Sequence, residues 1–342
     1  MLTIFAEIDA REWLTRPARA RIVAHVGRFQ ITRTVVFIAA GILVSAAVRA
    51  QQATVAPVGE YETYATFPTS GATENITQGG DGAIYVTGMD DKVVWRVTSD
   101  GMVSSVERFA TIPGVAAVVG VAPDDNGLVV TAFAKPFRLP PEGGGPPQIN
   151  LSDVGPEVIV IDKTGAITAT IPGQKGQAFN GIARAARGVY FIADSNASTI
   201  WRVDVERKQI EPWLEDEALA PGGAAPIGAN GIKVRNGYVY IGVSGRSMIY
   251  RIPIDGDGHP QDALTQVSEG VRPDDFDVAK DGTIYLSSGM TMYRISPSGD
   301  ATKMLDNVPG GAATMVSSDG KWVYWPTRGG TMPQRLLRTP IK

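Results

Sequence analysis

The chain contains no cysteine and only two histidines among its 342 residues. Without cysteine, a disulfide framework, a thiolate zinc site, an iron–sulfur cluster and a cysteine nucleophile are all excluded. Any histidine-based mechanism must use His25 or His259. Charged residues make up 20% and apolar residues 44% of the chain, a balance that fits neither a disordered tail nor a protein with many membrane spans. The formal charge of −3 lacks the basic excess that nonspecific binding to nucleic acid requires.

One apolar run near the start of the chain predicts a targeting segment. Thr34–Val48 carries no charge and is shorter than the ~20 residues that a membrane-spanning helix needs. Arginines precede it, and the residues up to Ala50 place small or medium side chains where a signal peptidase cuts. We therefore predict a signal segment over residues 1–50 and a mature domain over residues 51–342, periplasmic or secreted in a bacterium. An uncleaved membrane anchor is the alternative; after cleavage we expect no membrane association.

The mature part repeats one pattern six times. Each unit has a short strand, a tight turn that contains glycine, and a β-rich run with aromatic and branched residues. In five units the turn is Asn-Gly or Asp-Gly, which accepts the positive φ angles of a hairpin. The units begin with ENITQGGDGAIYVT at Glu74, VGVAPDDNGLVVT at Val119, NGIARAARGVYFIA at Asn180, NGIKVRNGYVYIG at Asn230, DDFDVAKDGTIYLS at Asp274 and AATMVSSDGKWVYW at Ala312.

A second hairpin follows the first in each unit, so each unit supplies about four short strands. Units of this kind are typical of propeller blades. The sequence therefore predicts an all-β fold, a six-bladed β-propeller with four antiparallel strands in each blade. The sixth unit runs out of chain after its third strand. We predict that Glu60–Phe67, which alternates in polarity, supplies the missing outer strand and closes the ring.

Oxygen-bearing side chains open four of the six innermost strands. The first residue of each unit begins the strand that lines the central channel, and these residues include Glu74, Asn180, Asn230 and Asp274. An Asn-Gly pair is often just a turn, but each unit already has its turn glycine further along. Carboxylate and carboxamide oxygens without nitrogen or sulfur ligands suit a hard cation. We predict a Ca²⁺ site, or one for another divalent metal, at one end of the channel.

At this point the sequence resembles the SMP-30/gluconolactonase family and its relatives, diisopropylfluorophosphatase and the paraoxonases. Pro273-Asp274 followed by Asp281-Gly282 is similar to the family's PDG…DG stretch, and the two Asn-Gly-Ile segments are similar to its NG motifs. The resemblance implies a catalytic divalent metal, usually calcium, held by Glu74, Asn180, Asn230 and Asp274. It also implies that Asp274 acts as base or nucleophile. Two departures stand out: Asp275 occupies a position where the family has glycine, and Asn180-Gly181 replaces the Asn-Asp-Gly of the sugar lactonases.

Loops at the same end of the channel are candidates for binding the substrate. The strand order brings Asp194, Arg246 and Arg328 to this end, and the two arginines suit an anionic substrate or a developing oxyanion. Pro136–Pro156 is long and rich in proline and glycine, which predicts either a lid or a tolerated surface insertion. His259 falls in a turn at the opposite end of the ring.

These observations favour a hydrolase that acts on a small lactone or ester. The cation polarises the carbonyl, and Asp274 activates water or attacks directly. No G-x-S-x-G, H-E-x-x-H or P-loop motif occurs, and the position of His259 excludes Ser-His-Asp chemistry. The alternatives are a phosphotriesterase that uses the same site, a propeller that binds a partner without catalysis, and a metal-free lyase or synthase.

Overall fold

The inner strands of the propeller begin where the six repeats begin. A computed structural model describes residues 61–101, 103–139, 148–223, 225–329 and 333–342. Within them the chain forms six sheets of four antiparallel strands, one further two-stranded hairpin and a single turn of 3-10 helix. This confirms the predicted six-bladed β-propeller. The predicted targeting segment, residues 1–50, lies outside the described residues, and the described part contains no helix that is long and apolar enough to span a membrane.

The chain enters with β1 (Glu62–Thr66). Blade 1 contains β2 (Thr73–Gln78), β3 (Ile84–Gly88), β4 (Val93–Ser99) and β5 (Ser104–Thr111). Blade 2 contains β6 (Ala117–Asp124), β7 (Gly127–Phe133), β10 (Pro156–Asp162) and β11 (Ile167–Pro172), with the small hairpin β8 (Arg138–Leu139) and β9 (Gln148–Ile149) inserted between β7 and β10.

The second half of the ring continues in the same order. Blade 3 contains β12 (Phe179–Ala186), β13 (Val189–Asp194), β14 (Thr199–Asp204) and β15 (Gln209–Glu215), and a 3-10 turn, Glu217–Leu219, follows it. Blade 4 contains β16 (Ala229–Arg235), β17 (Tyr238–Val243), β18 (Met248–Pro253) and β19 (Thr265–Glu269). Blade 5 contains β20 (Phe276–Val278), β21 (Ile284–Ser288), β22 (Thr291–Ile295) and β23 (Ala301–Asp306). Blade 6 contains β24 (Met315–Val316), β25 (Trp322–Pro326) and β26 (Arg335–Pro340), with β1 as its outer strand.

The ring closes through the N-terminal strand, as predicted. β1 pairs antiparallel with β26, with Glu62 opposite Arg338 and Thr66 opposite Arg335. Arg338 Nε donates to Glu62 Oε1 at 2.6 Å, and the ring of Tyr64 packs edge-on against Tyr324. The first strand therefore completes the last blade and joins the two ends of the ring by hydrogen bonds between strands.

β-Bulges re-aim the first residues of the inner strands toward the channel. Regular pairing between β2 and β3 is interrupted between Thr73 and Ile76, which leaves Glu74 and Asn75 outside the ladder. The same interruption occurs between Phe179 and Ile182 in β12, and between Ala229 and Ile232 in β16. A bulge bends a strand and redirects the unpaired side chains. In these three strands the side chains at the shared repeat position therefore point out of the blade at the same end of the channel.

Candidate metal centre

Glu74, Asn230 and Asp274 belong to one contact network at the channel mouth. Glu74 is only 5% exposed, and the Asp274 side chain is 23% exposed. Asn230 Nδ2 donates to Asp274 Oδ1 at 2.7 Å. Asn180 lies on the adjacent inner strand, where a Cβ built on Gly181 would come within 2.3 Å of the Asn230 carbonyl oxygen. Gly181 is therefore needed for the close approach of neighbouring inner strands, and not for a turn.

The Arg328 guanidinium bridges the two carboxylates of this network. Nη2 lies 3.1 Å from Glu74 Oε2, and Nη1 is hydrogen-bonded to Asp274 Oδ2. Burial raises the pKa of Glu74 to about 7; the positive charge of Arg328 opposes this shift and the negative charge of Asp274 adds to it. The charges of both carboxylates raise the pKa of Arg328 in turn. The guanidinium therefore remains charged, and it acts as the counter-ion of both acids.

Two serines orient the carboxamides. Asn180 Nδ2 donates to Ser195 Oγ at 3.1 Å, and Asn230 Nδ2 donates to Ser244 Oγ at 2.9 Å. Each hydroxyl in turn donates to a carbonyl of the next blade, Ser195 to Ala229 at 2.9 Å and Ser244 to Pro273 at 2.6 Å. With Nδ2 held in this way, neither Oδ1 accepts a hydrogen bond from the described residues.

The sequence did not predict that these serines hold the carboxamides. Thr87 donates to Val119 O at 2.7 Å and Thr131 donates to Asn180 O at 2.6 Å, so these threonines also bond to the next blade, from a register position two residues before that of the serines. A hydroxyl near the end of the second strand therefore makes a contact between blades. Its second role, as acceptor from an asparagine, depends on the side-chain geometry at the channel mouth.

Asp275 closes the channel beneath the mouth. Its carboxylate is 4% exposed and accepts from Lys233 Nζ, which lies 2.7 Å from each carboxylate oxygen, and from Asn75 Nδ2 at 2.7 Å. These partners come from the inner strands of blades 4 and 1. The aspartate that replaces the glycine of the resembled family thus forms a buried ion pair across the ring, and neither Lys233 nor Asn75 had been predicted to take part.

We expect Asp275→Ala to destabilise the fold strongly. The substitution leaves the Lys233 ammonium buried without its partner, a loss worth ~3–5 kcal/mol of the free energy of unfolding. Urea unfolding of the purified variant measures it. Adding Lys233→Met removes the unpaired charge with a side chain of similar length, so the double variant should recover a large part of the stability. Asp153→Ala breaks an ion pair with Lys135 that is more than half exposed and should change nothing measurable; an Asp275→Ala variant as stable as the wild type would contradict the assignment.

A cavity of about 480 Å³ adjoins the carboxylates between blades 5 and 6. Its lining includes Asp274, Arg328, Arg272 and Met290. Met290 is 60% exposed, and Arg272 forms no ion pair with any described residue. The volume lies in the range of small-molecule sites. A larger cavity of about 640 Å³ opens at the opposite end of the channel, and none of the four predicted cation ligands lines it.

Asp194 and Arg246, predicted as substrate-binding residues, are engaged in holding loops. Asp194 is fully buried; Oδ1 accepts from the backbone N–H groups of Ala178, Asn196 and Ala197, and Oδ2 accepts from Trp201 Nε1 at 2.9 Å. Arg246 Nε donates to Ala220 O at 3.0 Å, and Nη2 lies 3.2 Å from Glu217 Oε1. Of the three predicted residues, only Arg328 contacts the carboxylates, so we leave the other two out of the proposed site.

The remaining predicted features are placed as follows. Of the long loop, residues 140–147 lie outside the described part, and the flanking residues form β8 and β9; whether the loop acts as a lid stays a prediction. Arg138, in β8, lies 3.5 Å from Asp90 Oδ1.

His259 is exposed, and Asp255 Oδ1 accepts its backbone N–H at 2.8 Å, which is the bonding of a turn. The same turn brings together three possible ion ligands, Asp255, Asp257 and His259. These side chains stabilise the turn, and they lie at the other end of the blade from the four predicted ligands.

Comparison with known proteins identifies the fold class. No family model matches the chain, and no curated protein matches it. Among solved structures, a gluconolactonase from Xanthomonas campestris superposes with a TM-score of 0.61 at 13% identity, covering 83% of this chain and 90% of that chain. A luciferin-regenerating enzyme gives 0.58 at 11% identity over 82% and 95% of the two chains, and regucalcin, a calcium-binding protein from Agrobacterium tumefaciens, gives 0.57 at 13% over 83% and 95%. These solved structures share the β-propeller fold of this chain, and the chemistry has to be argued from this chain's own residues.

Proposed function

We propose that the protein is a hydrolase that uses a divalent cation, calcium in the first instance, to open a lactone or cleave an ester. The observation that carries this proposal is the mouth of the channel. Arg328 joins the carboxylates of Glu74 and Asp274 there, Asn230 contacts Asp274, and Asn180 lies on the adjacent inner strand, beside a cavity of small-molecule size. The gluconolactonase and calcium-binding neighbours support the same assignment.

The residues at the mouth fit a hard cation. Glu74 Oε2 is buried and accepts no hydrogen bond from the described residues; the Arg328 guanidinium, 3.1 Å away, supplies the positive charge that faces it, at the position a cation would take. The serine contacts leave the Oδ1 atoms of Asn180 and Asn230 without donors, and Asp274 contributes the second carboxylate. All four donors are oxygens, as Ca²⁺ prefers. When bound, the cation would polarise the scissile carbonyl and stabilise the oxyanion.

Asp274 is the proposed base or nucleophile. Among the four ligands its carboxylate is both partly exposed and part of the lining of the cavity, so a substrate can reach it. Asn230 Nδ2 orients Oδ1 by a hydrogen bond, and Oδ2, which accepts from Arg328, is the oxygen that would take a proton from water or attack the carbonyl carbon. Glu74 is too deeply buried for either role. Arg328, which lines the same cavity, is the proposed partner for an anionic group of the substrate or for the developing oxyanion.

A substrate panel tests the reaction class. We expect a sugar lactone such as gluconolactone, or failing that an aryl ester, to be hydrolysed in the presence of Ca²⁺ and not in excess EDTA. The rates are measured in parallel with a phosphotriester, since the same site could polarise a P=O group. Turnover of the phosphotriester alone would replace the proposal by the phosphotriesterase alternative, and turnover of none would favour a propeller that binds without catalysis.

Export remains part of the proposal. It is supported by the apolar run at residues 34–48 and by the absence of cysteine, which suits an oxidising compartment. The proposed location is the bacterial periplasm or the medium, and N-terminal sequencing of the mature protein tests the cleavage site after Ala50.

A further inference from the structure

Arg328 occupies the position that the proposed cation needs. Its guanidinium contacts Oε2 of Glu74 and Oδ2 of Asp274, and these are oxygens that would face the cation. The guanidinium bridges Glu74 Oε2 and Asp274 Oδ2, so it fills the space between these oxygens that a cation would take, and two positive charges there repel each other. One of the two must leave when the other binds.

We propose that Arg328 is a built-in competitor of the cation, which neutralises Glu74 and Asp274 in the cation-free protein and has to withdraw before the cation binds. This inference rests on the metal site of the proposed function and adds a residue that sets its affinity. It also predicts selectivity by charge. A monovalent ion brings no more charge than the guanidinium it displaces, so only an ion of charge two or higher gains from the exchange.

The geometry allows Arg328 to move while the carboxylates stay. The Glu74 side chain is 6% exposed and fixed at a bulge, whereas the Arg328 side chain is 36% exposed and lies on the loop after β25. Its backbone N–H donates to Gly310 O at 3.0 Å, which anchors the loop and leaves the long side chain free to turn. The adjoining cavity of about 480 Å³, which Arg328 lines, offers space for the withdrawn guanidinium.

The free-energy balance gives the direction of the effect. In the wild type, cation binding must break two charge-assisted contacts, so part of the binding energy is spent on displacing Arg328. Without Arg328 the two carboxylates repel each other until the cation arrives, and the cation binds without this cost. A single hydrogen bond to a charged group commonly changes an equilibrium constant by about tenfold or more. We therefore expect a change of about tenfold or more.

Calorimetric titration with Ca²⁺ tests the proposal on the full-length protein. Arg328→Gln should bind Ca²⁺ about tenfold or more tightly than the wild type. Arg328→Lys should fall between the two, since an ammonium keeps the charge but cannot bridge two carboxylates as a planar fork does. Arg246→Gln is the matched control, because Arg246 contacts Ala220 and Glu217 and neither carboxylate, and its affinity should equal that of the wild type. Equal or weaker binding by Arg328→Gln, or no Ca²⁺ binding by any variant, overturns the proposal.

Melting temperatures provide a second measurement. In EDTA, Arg328→Gln should melt below the wild type because two close carboxylates lose their counter-ion, and excess Ca²⁺ should close the gap. If this variant does not fold, Arg328→Lys decides: an affinity no higher than that of the wild type refutes competition. Ca²⁺-dependent lactone hydrolysis by the wild type together with unchanged affinity in Arg328→Gln would refute the competition alone. Tighter Ca²⁺ binding by Arg328→Gln without any hydrolysis by the wild type would refute the hydrolase assignment and leave the competition standing.

Discussion

Asp274→Asn should reduce kcat/KM for the hydrolysed lactone or ester by about 10³-fold or more while the protein stays folded. The change removes the proton acceptor or nucleophile, a role worth ~10²–10⁴-fold, and weakens the ligand set of the cation at the same time. Asparagine has nearly the shape of aspartate and still accepts from Asn230 or Arg328. Its melting temperature should therefore remain within a few degrees of the wild type, as measured by circular dichroism.

Asp153→Asn is the matched control for this variant. Asp153 lies at the same end of the ring, in the loop before β10, and its ion pair with Lys135 is more than half exposed. The substitution removes the same charge from the same face without touching the channel mouth, so its kcat/KM should equal that of the wild type. Near-normal hydrolysis by Asp274→Asn would remove Asp274 from the chemistry and with it the proposed mechanism.

Removal of the divalent cation should abolish hydrolysis and lower the melting temperature. A ligand present at 100 times its Kd stabilises the folded state by about 2.7 kcal/mol. For a domain of this size that corresponds to about 5 °C or more. Treatment with EDTA followed by back-titration with Ca²⁺ should therefore restore both the rate and the melting temperature, and Mg²⁺ and Mn²⁺ in parallel establish which divalent metal acts best.

Glu74→Gln tests whether Ca²⁺ raises the melting temperature by binding at the proposed site or by binding elsewhere. Glutamine keeps one oxygen at the buried position but removes the charge, so the variant should lose most of the Ca²⁺-dependent rise in melting temperature. The pKa of Glu74, raised to about 7 by burial, predicts that this variant is no less stable than the wild type near pH 7 in EDTA, since the wild-type acid already holds a proton part of the time there. Hydrolysis by the wild type in EDTA, at the rate seen with Ca²⁺, would show that the reaction needs no divalent cation.

The fold followed from local patterns in the sequence. Turn residues between two β-rich runs, such as Asn236-Gly237 with φ angles of 53° and 76°, end one strand and begin the next. Their recurrence with β-rich runs sets the number of blades, and the shortage of a strand in the last unit implied closure by the first. The expected strand 60–67 is observed as Glu62–Thr66, because the alternation of polarity located the segment and hydrogen bonding set its ends.

Part of the site was readable in the same way. Glu74, Asn180, Asn230 and Asp274 share a repeat position, and a propeller turns a shared position in sequence into a shared ring in space. The loop residues were harder to interpret. The repeat order predicted Asp194 and Arg246 near the mouth, yet their side chains form hydrogen bonds with neighbouring segments. Buried polar groups are stabilised by such bonds within the protein, and the sequence does not show which partners they find.

By itself, the sequence determined the β-propeller, its six blades and the ring of oxygen-bearing residues, because strand alternation, turn chemistry and repeat register act over a few neighbouring residues. Only the tertiary structure decided how the charges inside the ring are paired. Arg328 reaches Glu74 from the far end of the chain, and Asp275 joins Lys233 to Asn75 across the channel. Such pairings depend on bulges, side-chain length and the closure of the ring, which bring distant blades face to face and leave no trace in the local pattern.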